Sequence, residues 1–178
     1  MLGAAPRSLY ARGVMVTACI ALGSNLGDRR ENLRLAIARI QSLAGTQLTA
    51  TSDFFRTLPV DSPLGSPKFL NAAVVIETSL SAAALMHALL DIERQLGRRR
   101  TTTRNAPRPI DLDLLLFGDA IIRTPDLTVP HPRMHTRLFV LEPLAQIAPN
   151  LRHPELKCTI RELLDALLKY TSANAPHH

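Results

Sequence analysis

The sequence predicts an α+β fold in which helices pack on a mostly antiparallel β-sheet. Stretches with strand and helix periodicity follow one another in the order strand, helix, strand, strand, helix, strand. Hydrophobic residues make up 46% of the 178 residues and charged residues 20%, as in a single globular domain with a sizeable core. This order is that of a ferredoxin-like α/β sandwich, and we expect the helices on one face of its sheet.

The first half of the chain supplies three of these elements and a loop. The apolar residues 15–22 predict a central strand. Asp28, with Glu31 three positions later, has the pattern of a capping box before a helix. Residues 46–57, rich in Thr and Phe, predict the second strand. The three prolines of residues 58–67 predict a long loop.

The middle of the chain predicts the third strand, the second helix and another loop. Residues 68–80 have strand character, and Ser81 is placed to cap a helix that ends at Gly97. Residues 98–109 predict the second long loop, and residues 110–119 a strand followed by a turn. Loops of this length in a compact domain are often functional, so we expect both to be catalytic loops.

The last third predicts shorter elements and a final helix. Residues 120–124 have the pattern of a short returning strand. Residues 131–149 are partly helical, with a break at Pro143. Thr159 and Glu162 form a capping box for a helix that runs to about residue 170.

Composition and chain ends predict the domain organisation. We expect a flexible N-terminal extension at residues 1–13, one domain at residues 14–170 and a flexible tail at residues 171–178. No apolar stretch reaches the roughly 20 residues of a membrane span, so no membrane partner is expected. Two cysteines form no disulfide framework, which favours a reducing, cytoplasmic compartment.

Asp111 and Asp113 stand inside one of the most apolar stretches of the chain. Residues two apart on a strand share a face, so both carboxylates point away from the core face, to which we assign Ile110, Leu112, Leu114 and Leu116. Carboxylates about 5 Å apart repel by about 3 kcal/mol at an effective dielectric of 20, so arginines or metal ions are needed. The pair alone fits either a magnesium site or a solvated surface paired with Arg.

The loop before this strand favours phosphate chemistry. It carries five arginines within 11 residues, namely Arg98, Arg99, Arg100, Arg104 and Arg108. Guanidinium groups opposite carboxylate-bound metal ions suit a polyphosphate. A nucleic-acid surface would favour interleaved aromatic residues, and this run contains none, so no nucleic-acid partner is expected.

Three further stretches offer binding groups. Phe69 and Asn71 share a strand face, where a ring and an amide suit a flat heterocycle, although an ordinary sheet pair has the same pattern. His131 and Arg137 fit phosphate contact better than a metal pair, because no further metal-ligand motif accompanies the histidines of this region. The turn "GSNLGD" lacks a phosphate-loop pattern, and we expect it to be structural or to support the site.

Taken together, these stretches resemble the 6-hydroxymethyl-7,8-dihydropterin pyrophosphokinase family. The resemblance runs from about residue 15 to 165 and is carried by "ALGSNLGD", "FFRT", "FLNAAVVIETSL", "IERQLGR", "RNAPRPIDLDLLLFGD" and "LTVPHPRMHTRLFVLEPLAQIAP". It implies transfer of pyrophosphate from ATP to the hydroxymethyl group of the pterin, with AMP leaving, in folate biosynthesis. We expect direct in-line attack at the β-phosphorus, with both loops excluding water.

The resemblance also implies residue roles. Asp111 and Asp113 would bind two Mg²⁺ ions, and Arg98 and Arg108 would be catalytic, with Arg98 closing late. The residues implied for ATP are Glu93, Arg98, Arg100, Arg108, Leu114, Leu127, Thr128, His131 and Arg137. The residues implied for the pterin are Thr57, Leu58, Val60, Phe69, Asn71, Asp111 and Phe139. A monomer acting on ATP and a reduced pterin alcohol is expected.

Three positions depart from the family pattern, and two other functions stay open. Asn105 and Pro132 replace possible aromatic residues, and Pro109 stiffens the junction after Arg108. An RNA-binding module would use the arginine run without needing the aspartates. A two-metal nuclease or nucleotidyl hydrolase would need the aspartates without a pterin.

Overall fold

The computed structural model describes residues 14–58, 67–99 and 106–174. Within these ranges, strands and helices succeed one another as β1 (Val16–Ser24), α1 (Arg29–Gln41), β2 (Thr46–Thr51), β3 (Phe55–Thr57), β4 (Phe69–Thr78), α2 (Ala82–Gln95), β5 (Asp111–Phe117), β6 (Ile122–Arg123), β7 (Thr128–Val129), α3 (Leu138–Ile147) and α4 (Ile160–Ala173). A single 3₁₀ turn at Met134–Thr136 precedes α3.

The main sheet has the strand order β2-β4-β1-β5, and β3 pairs with β4 beyond the end of β2. Every one of these pairings is antiparallel. The apolar strand β1 lies between β4 and β5, which confirms its prediction as a central strand. The α+β sandwich predicted from the order of the elements is therefore confirmed.

Helices cover both faces of this sheet, so the prediction of helices on one face was wrong. One core joins α1 and α2 to the sheet through residues such as Leu33, Leu89 and Ile20. A second core joins α3 and α4 to the other face through residues such as Leu144 and Val75. The central strands are consequently apolar on both sides, as strands buried between two layers must be.

A bulge in β5 changes the side on which one leucine lies. β1 pairs Ile20 with Leu114 but Cys19 with Leu116, so the register shifts at this point. Leu116 therefore belongs to the second core and not, as predicted, to the face of Leu112 and Leu114. The pairing of two residues against one is what moves the later side chain to the opposite face.

Several boundaries also differ from the prediction. Residues 46–57 form two strands and not one. The predicted returning strand is β6, but it pairs with β7, because the turn from Thr124 to Leu127 closes a short local hairpin. α3 continues through Pro143, where buried apolar neighbours offset the cost of proline inside a helix. α4 runs to Ala173, so the first residues of the predicted tail are helical.

Three helix starts follow the capping prediction. The side chains of Asp28, Ser81 and Thr159 each accept a backbone N–H three residues on, and Thr159 with Glu162 forms a complete capping box. Gly97 has a φ of +87°, the left-handed conformation that lets the chain leave α2 after its last turn. None of the helices in the described residues is both long and apolar enough to cross a bilayer.

Candidate active site

The strand register places two rows of residues side by side across the sheet. Gly23 of β1 pairs with Asn71 of β4 on one side and with Asp111 of β5 on the other. Ala21, two residues earlier, pairs in the same way with Ala73 and Asp113. Residues paired across strands share a face, so both aspartates and Asn71 lie on the face covered by α3 and α4. The predicted shared face of the aspartates is thus present.

Gly23 keeps the middle of this row free of a side chain. A Cβ atom added to Gly23 would stand 3.1 Å from Asn71 Oδ1 and 3.7 Å from Phe69 Cδ1. The first distance is tighter than ordinary packing, so even alanine would push on the amide. Gly23 was not among the site residues predicted from the sequence, although a glycine at the end of an apolar strand is itself a signal of close approach.

Asp111 holds the two arginines for which the resemblance implies catalysis. Arg108 Nη2 lies 2.6 Å from Asp111 Oδ2, and Arg98 Nη1 hydrogen-bonds to Asp111 Oδ1. These three side chains keep 20–28% of their exposure, so the cluster is half-buried and still reachable from solvent. Arg108 Nε is buried and has no hydrogen-bond partner among the described residues.

Glu93 supports the cluster from behind. It is 4% exposed, and its Oε1 accepts the N–H of Leu112 at 2.7 Å and a hydrogen bond from Arg98 Nη1 at 2.5 Å. Leu112 is the residue between the two aspartates, so Glu93 fixes the strand from which both project. Burial raises the pKa of Glu93 to about 7, despite the backbone bond and Arg98, which lower it.

Asp113 projects from the same strand face as Asp111 and is partly buried. Burial, and after it the charge of Asp111, raises the pKa of Asp113 to about 6, while Arg137, Arg98 and Arg108 lower it. Within the described residues, no three or more His, Cys, Asp or Glu side chains are grouped so that they could hold a metal ion by themselves. Mg²⁺ commonly binds one or two carboxylates and takes its other ligands from phosphates and water, so the aspartate pair fits this ion.

Two aromatic rings, those of Phe69 and Phe139, are each covered by a guanidinium group. The Cζ of Arg108 stands 5.6 Å from the centre of the Phe69 ring, and the Cζ of Arg137 stands 5.5 Å from that of Phe139. Beside Phe69, Asn71 Nδ2 donates a 2.6 Å hydrogen bond to Thr57 Oγ1. This bond orients the amide of Asn71, which is 4% exposed.

His131 is held as a neutral imidazole. Its N–H group on the main chain donates to Leu115 O at 2.9 Å, and its Nδ1 accepts the N–H of Arg133 at 3.1 Å. Burial, followed by the charges of Arg137 and Arg133, lowers the pKa of His131 to about 4. An imidazole that stays neutral at physiological pH can donate a hydrogen bond to a phosphate through Nε2 without a change of charge.

Other residues implied by the resemblance lie apart from the aspartate face or outside the described residues. Leu114 packs in the core beneath α1 and α2 at 3% exposure, and Leu127 packs against that core. Thr128 begins β7, and Leu58 is 70% exposed at the end of the described β3 segment. The positions outside the described residues are Val60, Arg100 and Asn105.

Paired carboxylates with converging arginines, next to an aromatic ring and an oriented amide, are typical of an enzyme that transfers phosphate groups. Here they lie on a ferredoxin-like sheet. The family model described as 7,8-dihydro-6-hydroxymethylpterin-pyrophosphokinase (HPPK) matches residues 19–149. The chain belongs to this family.

Individual relatives agree with this assignment. A 2-amino-4-hydroxy-6-hydroxymethyldihydropteridine pyrophosphokinase of Haemophilus influenzae is 44% identical over 140 residues, which are 79% of this chain and 86% of the relative. A protein of that name from Bacillus subtilis is 48% identical over 134 residues, covering 75% and 79% of the two chains.

A solved structure supports the fold. The wild-type HPPK-DHPS of Plasmodium falciparum superimposes with a TM-score of 0.72 at 16% identity, over 90% of this chain. The superposition spans 46% of that longer chain. At this identity the likeness concerns the fold, and it confirms the sandwich described above.

Proposed function

We propose that the protein transfers the pyrophosphoryl group of ATP to the hydroxymethyl group of 6-hydroxymethyl-7,8-dihydropterin and releases AMP, as a step of folate synthesis. The observation that carries the proposal is the row of Asn71, Gly23 and Asp111 across three strands. In this row, Asn71, whose amide suits the edge of a heterocycle, lies on the same sheet face as Asp111, whose carboxylate suits metal-bound phosphates. The names of the relatives point to the same substrates.

Asp111 and Asp113 are the residues that would hold magnesium, and we propose two ions. Bound there with ATP, the metal would neutralise phosphate charge and orient the phosphate chain. This role is supported by the ion pairs that Asp111 forms with two guanidinium groups, because they show that its carboxylate attracts positive charge.

The arginines would act on the charge of the transferred group. Arg98 and Arg108 now form ion pairs with Asp111, and both guanidinium groups can turn toward phosphate oxygens when a polyphosphate enters. The unpaired Nε–H of Arg108 is one donor that a phosphate oxygen would satisfy. Glu93 would keep Arg98 in reach through its hydrogen bond.

The pterin would lie between the rings of Phe69 and Phe139. Asn71, oriented by Thr57, would hydrogen-bond the edge of the heterocycle, and backbone groups near Thr57, Leu58 and Val60 would complete that edge. Arg108 and Arg137 now cover the two rings, so each guanidinium would move aside for the substrate.

ATP would be held on the side of α3. Among the described residues, His131 and Arg137 are the ones best suited to bind phosphate. The charge of Arg137 acts on His131 and on both aspartates. We also propose contacts from Glu93, Arg100, Leu114, Leu127 and Thr128.

The transfer would be direct. The hydroxymethyl oxygen attacks the β-phosphorus of ATP, the bond from that phosphorus to the bridging oxygen of AMP breaks, and the hydroxyl proton passes to solvent or phosphate. Such a transfer needs in-line placement and neutralised charge more than a strong base. No phospho-enzyme is required.

An assay of AMP formation tests the proposal. Wild-type protein with ATP, Mg²⁺ and the reduced pterin alcohol should release AMP, and leaving out any one component should stop it. Asp111→Asn should abolish nearly all turnover, whereas Asp119→Asn, on the exposed turn after β5, should not. AMP release that does not need the pterin, or near-normal activity of Asp111→Asn, would refute the assignment.

A further inference from the structure

We infer that Asn25 is a positioning residue that fixes the main chain of Arg108; the inference rests on the proposed function. Asn25 is the first residue after β1 and begins the turn, within the "GSNLGD" motif. Its Oδ1 accepts the backbone N–H of Arg108 at 2.8 Å, and its own backbone N–H donates to Arg108 O at 3.2 Å. A single residue, 83 positions away in the chain, thus binds both polar groups of the Arg108 main chain.

These bonds lie beyond the end of the β1–β5 ladder, so the N–H of Arg108 needs an acceptor from a side chain. The ladder between β1 and β5 ends at the pair of Gly23 and Asp111. Beyond it comes Pro109, which has no N–H to donate and restricts the residue before it. Asn25 Oδ1 therefore supplies the acceptor that a continuing strand would have supplied, and its 5% exposure keeps water from competing for the bond.

The two bonds from Asn25, which we call the clamp, hold the main chain at Arg108, just before the strand that carries Asp111. The guanidinium group of Arg108 lies 2.6 Å from Asp111 and stands over the ring of Phe69, so it reaches both candidate substrate regions. Its side chain is long, and its Nε has no partner among the described residues, so the main-chain bonds are its main restraint at the near end. A misplacement of about 1 Å in a catalytic group can reduce turnover about 100-fold.

Asn32 is a matched control, because it is an asparagine whose side chain bonds to the same turn. Asn32 Nδ2, from α1, donates to Leu26 O at 2.9 Å and to Ser24 Oγ at 3.3 Å. Asn32 therefore braces the motif from the helix side without contacting Arg108. Asn25→Asp keeps an acceptor at the Oδ1 position and is the conservative variant.

The test combines single and double variants in the AMP-formation assay. Asn25→Ala should lower kcat about 10-fold or more while both KM values change less than about 3-fold. Asn25→Asp should restore most of the lost rate, and Asn32→Ala should stay within about 3-fold of wild type. In an Arg108→Ala background, Asn25→Ala should cause no further loss, because the two residues act as one unit.

Two outcomes would overturn the inference, and a separate readout keeps it testable without turnover. Equal losses from Asn25→Ala in the wild-type and Arg108→Ala backgrounds would show an independent role, and an equal loss from Asn32→Ala would show a general effect of the turn. Hydrogen exchange of the Arg108 amide should accelerate in Asn25→Ala and stay slow in Asn32→Ala. If wild-type protein releases no AMP, the proposed function fails, and the exchange rates still decide whether Asn25 fixes Arg108.

Discussion

Asp113→Asn should stabilise the metal-free protein while it abolishes turnover. Burial and the neighbouring Asp111 raise the pKa of Asp113 from 3.8 to about 6. The folded state therefore disfavours the ionised carboxyl group by about 3 kcal/mol at most. Because the side chain keeps partial solvent contact and three arginines lie near, we expect about 1–2 kcal/mol to be recovered by the neutral amide.

The stability difference between wild type and Asp113→Asn should depend on pH. Well below pH 3.8 the group holds its proton in both the folded and unfolded states, so wild type and Asp113→Asn should differ little. Between pH 3.8 and about 6 the folded state keeps the proton that the unfolded state has lost, so wild-type stability falls as pH rises. Above about pH 6 the difference is complete.

Urea unfolding in EDTA at pH 4, 5, 6 and 8 measures this effect. The gain from Asp113→Asn should grow with pH and level off near pH 7, while the exposed control Asp119→Asn shows no such trend. A variant less stable than wild type at pH 8 would refute the reasoning, since it would mean that Arg137, Arg98 and Arg108 outweigh the cost of burial.

Three further expectations concern the substrate contacts. Thr57→Val removes the acceptor for Asn71 and should raise the pterin KM about 5-fold with little change in kcat, whereas Thr49→Val, whose hydroxyl bonds to a backbone carbonyl of β4, should leave both unchanged. Arg108→Ala should lower kcat more than it raises either KM; a change in KM alone would mean uniform binding. His131→Gln should flatten the loss of stability between pH 6.5 and about 4, because only the unfolded state protonates this histidine in that window; an unchanged profile in urea unfolding would contradict its buried, neutral state.

Local rules predicted the parts of the site that one strand or one turn determines. The common face of Asp111 and Asp113 follows from the two-residue period of a strand, and the caps at Ser81 and Thr159 follow from side-chain chemistry three residues from a backbone donor. Neither depends on how distant segments pair, so the sequence sufficed for both.

The features that the sequence did not predict depend on distant pairing. The bulge that turns Leu116 to the second core is defined by the register of β5 against β1, which no local pattern of leucines contains. The bond of Glu93 to Leu112 and the clamp of Asn25 on Arg108 likewise join residues that only the sheet brings together. The role of Gly23 appears only once Asn71 and Asp111 are seen on either side of it.

The row through Gly23 also makes the spacing of the two proposed substrate regions a property of the backbone. Asn71 and Asp111 are one strand away from Gly23 on each side, so their separation is two hydrogen-bonded strand spacings, or roughly 10 Å. Side-chain substitutions and changes in the length of neighbouring loops do not alter this separation between Asn71 and Asp111. Sequence variation outside these strands would therefore leave the proposed distance from heterocycle to phosphate constant.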